Sequence, residues 1–150
     1  MDLKELLKKR EEASQYRENK SILEFTLKSY KDTKFRLKLP DFQEFVNFLS
    51  KVGITDFSIS QKELKKIFTD KILKSNSIIY EYLFDTFIEP NFNDLAGELM
   101  VELNAQSRIA VFKDFFDSEE IIEIFNLVVS KQVELFTDNK NPNVVELKKK

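Results

Sequence analysis

The sequence predicts an α+β, mainly α-helical protein in which one N-terminal β-hairpin packs on a bundle of about five to six helices. Three observations carry that expectation. Over two neighbouring runs around residue 30, apolar residues alternate with polar ones, which is the strand period. From Asp41 onward the apolar period lengthens to that of a helix, and Asp/Ser-x-x-Glu capping boxes punctuate it. The chain of 150 residues holds 15 Phe and only 2 Gly, so it can bury a large aromatic core with few flexible joints.

Residues 2–19 alternate in charge around Leu3, Leu6, Leu7 and Ala13, a helical spacing with a thin apolar stripe. Such a helix docks loosely, either as a solvated, fraying end or as a partner-binding arm. Leu23, Phe25 and Leu27, then Phe35, Leu37 and Leu39, form the two strands of the hairpin, with its turn expected around Lys31-Asp32-Thr33. Lys28, Lys34, Arg36 and Lys38 line the other face, where charge protects an exposed sheet.

Pro40 ends the hairpin, and the pair Asp41/Glu44 opens a helix bearing Phe42, Phe45, Val46 and Leu49, stopped by Gly53. Ser60/Glu63 opens the next, with Leu64, Ile67, Phe68 and Ile72 inward and Asn76 as its expected C-terminal cap. From Ser77 to Glu89 nearly every direction of a helix is apolar, which predicts a central buried helix ended by Pro90. Two short apolar helices follow, one carrying Leu95 to Leu103 and one Ile109 to Phe116. Asp117/Glu120 then opens a helix running to about Phe136. The organisation expected is a loosely docked helix over 1–20, a single globular domain over 21–136 and a flexible tail over 137–150.

Composition excludes more than it assigns. The chain has no His and no Cys, so the commonest general base, transition-metal ligands and thiol nucleophile are missing. Gly53 and Gly97 are too far apart to form a phosphate-cradling loop. With 24 basic and 26 acidic residues there is no concentrated basic face for nucleic acid. No apolar run approaches the roughly 20 residues of a membrane span, and the charged N-terminus lacks a signal peptide's apolar stretch. The expectation is a cytoplasmic binding protein without catalytic residues, cofactor or metal, and with no nucleic-acid or membrane partner.

Three constellations remain open to more than one reading. Glu81, Asp85 and Glu89 stand at i, i+4, i+8: a polar stripe, a partner contact, or a site for a hard cation or acid/base pair. The apolar surplus on the last segments suits an ordinary core or a hydrophobic groove. The ending Lys148-Lys149-Lys150 suits a solvated tail.

The segment from Ile79-Tyr80-Glu81 through Glu89-Pro90-Asn91 to Asp94 resembles the signature of phage tail assembly chaperones of the XkdN-like type. In that family an apolar helix ends in a Glu-Pro-Asn turn, here Glu89, Pro90 and Asn91. The Leu-Lys-Glu-Leu-Leu opening and the Leu-Pro-Asp-Phe step at residues 39–42 are also similar to the family. Residues 53–76 match no part of that pattern, and the short helix before Phe115 lacks its acidic and Pro residues. The resemblance implies a chaperone that holds the tape measure protein soluble in the cytoplasm of the bacterial host while tube subunits polymerise, and is absent from the finished particle. It implies a homo-oligomer, and the tail tube protein as a further partner. A longer frameshifted form is a feature of the class, and an A-rich run encoding the terminal lysines would supply it.

Helix-in-groove binding predicts a client surface made of the exposed members of Ile121, Phe125, Val128 and Phe136, together with Leu3, Leu6 and Leu7. The competing class is a secretion-type chaperone or adaptor that binds one short disordered client segment. A structural tail subunit would be mainly β, and an enzyme would have to act through the acidic row with a divalent metal.

Overall fold

The computed structural model describes residues 1–138 and shows an α+β, mainly helical protein. Helix α1 (Leu3–Lys20) leads into an antiparallel hairpin, β1 (Ile22–Leu27) and β2 (Tyr30–Lys38). Helices α2 (Phe42–Lys51), α3 (Gln61–Leu73) and α4 (Ser77–Thr86) follow, then strand β3 (Phe87–Glu89). The chain continues with α5 (Phe92–Glu102), α6 (Arg108–Phe115) and α7 (Ser118–Asp138). The strand order is β1-β2-β3, so the sheet has one strand more than the expected hairpin, and the helices number seven among the described residues.

Local sequence sets most boundaries. Asp41 accepts from the Glu44 amide at 2.9 Å while Glu44 reaches back to the Asp41 amide, a complete capping box. Asp117 and Glu120 exchange the same pair of bonds at the start of α7. At Ser60 the hydroxyl accepts from the Glu63 amide and bonds the Glu63 carboxylate. Three helices end alike. The amides of Ile54, Asn76 and Ala105 reach back five residues to the carbonyls of Leu49, Lys71 and Met100, and the residue before each is left-handed. Those residues are Gly53, Ser75 and Asn104. The cap expected at Asn76 falls instead on Lys74, with Ser75 left-handed after it, and the Asn76 side chain caps the start of α4 at the Ile79 amide.

Two boundaries differ from expectation. The hairpin turns at Lys28-Ser29, with Leu27 opposite Tyr30, while Phe25 faces Phe35. Lys31 to Lys34 thus bulge opposite Thr26, with Asp32 left-handed. The anchor is Tyr30, whose hydroxyl donates to the Phe115 carbonyl at 2.6 Å and whose ring meets Phe35 and Phe116. The other difference is α4, which stops at Thr86 rather than Glu89. The outer edge of β2 offers unpaired backbone groups, and residues 87–89 leave the helix to pair with it, Phe87 opposite Leu37 and Glu89 opposite Arg36.

The core contains two aromatic clusters. Phe25, Phe35 and Phe87 of the sheet pack on one another, and Phe35 and Phe87 meet Phe92, Phe112 and Phe116 through edge-to-face and stacked contacts. Phe48, Phe68, Tyr82 and Phe125 form the second, between α2, α3, α4 and α7. Helix α4 stands between them. Tyr80 and Phe84 turn to the first cluster and Tyr82 to the second, which is why its sequence is apolar all round.

Candidate partner-binding site

The expected client residues separate into two groups. Ile121, Phe125 and Val128 are 0% exposed and Phe136 is 6% exposed, so the exposed members expected among them are absent. The broad apolar stripe of α7 is consumed by the core: Phe125 meets Phe48 and Phe68, and Phe136 meets Phe42 and Phe45. Periodicity announces a buried face and an interface in the same way, and here α2, α3 and the hairpin cover it. The other group stays outside. Leu3, Leu6 and Leu7 are 71%, 56% and 51% exposed on a helix that buries no residue at all. A Glu18–Lys38 contact at 3.5 Å ties the far end of α1 to β2.

The family-motif residues have structural roles. Tyr80 is buried, its ring covered by the Lys113 ammonium at 5.0 Å, and burial raises its phenol above the ordinary value while a bond with Ser118 opposes the rise. Glu89 is exposed at the end of β3, Pro90 follows a cis peptide bond, and Asn91 caps α5 by accepting from the Asp94 amide at 3.0 Å. The Glu-Pro-Asn turn is thus the joint between strand and helix.

The acidic row is divided by that joint. Glu81 and Asp85 remain on one face of α4, and Arg108 bridges them at 3.2 and 2.6 Å. The guanidinium also bonds the Asn93 side-chain oxygen and lies 4.5 Å from the Phe84 ring centre. Glu89, on β3, lies outside this network and opposite Arg36. Among the described residues no three His, Cys, Asp or Glu side chains are placed to hold a metal ion. Arg108 lies far along the chain from the acids it neutralises, and sequence spacing alone carries no signal of the pairing.

A cleft of about 880 Å³ opens beside this network, between the end of β2, α2 and α4. Pro40, Phe48, Ile78 and Ile88 are among its apolar walls; Lys38, Lys51, Glu44, Glu81 and Asp85 are the charged residues that line it. Tyr82 lines the cleft with its ring, yet its hydroxyl is turned inward. Burial holds that phenol far above its ordinary range, with Gln132 opposing and Glu44 adding to the shift. It is no proton donor at neutral pH. The arrangement suits reversible docking of an amphipathic segment carrying both charge signs. No described helix is long and apolar enough to cross a membrane. The chain matches no protein-family model, no curated protein and no solved structure.

Proposed function

We propose that this protein is a tail assembly chaperone that binds the tape measure protein, keeps it soluble while the tail tube polymerises, and is then displaced. The resemblance over Tyr80 to Asn91 motivates the reading. The structural observation that supports it best is α1, an 18-residue helix with exposed Leu3, Leu6 and Leu7 and no buried residue. A helix held so loosely is available for a client's apolar stripe, and the two-signed cleft between α2 and α4 offers a second contact. Each contact is small, so affinity per copy is modest. Many copies along one long client supply the avidity, while tube subunits displace them one at a time. The chain acts in the host cytoplasm, as a homo-oligomer, beside the tail tube protein.

Co-expression with a tape measure protein from the same genome, followed by size-exclusion chromatography with light scattering, tests the reading. The expected result is a soluble complex with many copies of this chain per client. A client that stays insoluble while this chain elutes alone removes the proposal. A complex with one dimer on a short disordered segment assigns the chain instead to the secretion-type adaptors.

A further inference from the structure

The stripe of α1 is left uncovered and that of α5 partly so, Leu99 being half-buried against the core, and the two complement each other. On α1, Leu3, Leu6, Leu7, Arg10, Ser14 and Arg17 follow the i, i+3, i+4, i+7 spacing of a single helix face. That face is apolar at its start and carries two of the chain's four arginines. Neither arginine makes an ion pair among the described residues. On α5, Leu95, Glu98, Leu99 and Glu102 repeat the same spacing, with Asp94 beside them. From Asn91 to Ser107 the chain has no basic residue. Only Phe92 of α5 is fully buried; Leu95 is 39% exposed, and Glu98 and Glu102 are exposed without an ion-pair partner among the described residues.

We infer that α1 of one copy docks on α5 of a second copy, leucine stripe on leucine stripe, with Arg10 and Arg17 set against Asp94, Glu98 and Glu102. Within one copy the two stripes do not meet, since α1 buries no residue. Each stripe alone is a thin apolar surface in water, and each holds uncompensated charge of the sign the other lacks. Reciprocal exchange doubles the contact, which single-helix docking needs in order to approach the roughly 1,200 Å² of a specific interface. Arginine suits the role, because its fork pairs with carboxylates in fixed geometry while its stem covers leucine. This contact rests on the self-association included in the proposed function; because it occupies Leu3, Leu6 and Leu7, it holds while no client is bound, and a client displaces α5 from them.

Sedimentation equilibrium of the full chain over a range of concentrations tests it, with two charge-reversed variants: Arg10→Glu with Arg17→Glu, and Glu98→Arg with Glu102→Arg. All four side chains are exposed, so each variant should keep the wild-type circular dichroism spectrum. The wild type should self-associate, less tightly as salt is raised. Each variant alone should associate at least ~10-fold more weakly, and mixing the two should restore association between them. If a charge variant misfolds, Leu6→Gln with Leu7→Gln gives the same weakening without reversing charge. A wild type that stays monomeric to millimolar concentration overturns the inference, as do variants that associate like the wild type or mixtures that fail to recover. A chain that self-associates this way but leaves the tape measure insoluble would retain this inference and lose the proposed function.

Discussion

The Tyr82 hydroxyl and the Gln132 Oε1 are buried without a well-formed hydrogen bond, while Gln132 Nε2 donates to the Pro40 carbonyl at 3.3 Å. The phenol's acidity is suppressed chiefly by burial, so the folded chain holds this proton more tightly than the unfolded one. Its ordinary value is 10.0. Below that pH both states keep the proton and the stability is intact; above it only the unfolded chain releases the proton, and stability falls as pH rises. Tyr30 and Tyr80, also raised mainly by burial, act in the same direction. Tyr82→Phe should change stability at neutral pH by about 1 kcal/mol or less, since the hydroxyl loses at most a weak contact with Gln132. It should also make the alkaline decline shallower, which urea denaturation at a series of pH values measures. Ser75 is left-handed, at φ 56, at the end of α3. Ser75→Gly removes that strain and should stabilise by about 0.5–1 kcal/mol despite losing an exposed contact with Lys113. A lower denaturation midpoint would show that the Lys113 contact outweighs the backbone.

Phe87 ends α4 as its C-terminal cap, begins β3 and packs against Phe25, Phe35, Phe92, Phe112 and Phe116. Phe87→Ala should therefore cost about 3–5 kcal/mol, far more than Ile88→Ala on the half-buried side of the same strand. Equal losses at the two positions would mean that pairing with β2, rather than ring packing, holds the segment. Helix α5 has Gly97 in its interior, and a Cβ built there meets nothing within 4 Å. Gly97→Ala should raise stability by up to about 1 kcal/mol through helix propensity alone, read as a higher melting temperature. The capping boxes made the starts of α2 and α7 legible, because a cap is a bond between residues three apart. The end of α4 was not legible, because it answers to the free edge of β2, about 50 residues earlier in the chain.

For the whole molecule, stability resides in the aromatic clusters and the aliphatic side chains between them, and not in α1. Removing residues 1–20 should alter stability by less than about 1 kcal/mol at concentrations where the chain is monomeric, since none of α1 is buried. Phe125→Ala should cost about 3–5 kcal/mol, because that ring touches Phe48, Phe68 and Tyr82 at once. A truncation as damaging as the core substitution would place α1 in the fold rather than on its surface; thermal denaturation of both variants decides. The tail expected over 137–150 falls almost wholly on residues 139–150, outside the described residues, together with Lys148–Lys150. By itself the sequence determined the class of the fold, the order of most elements and the thin stripe of α1, because caps and apolar period are local properties of the chain. Only the tertiary structure decided the hairpin's turn, the third strand, the Arg108 bridge and the burial of Ile121, Phe125, Val128 and Phe136. Period states that a face is apolar. What covers that face depends on contacts between residues far apart in the chain.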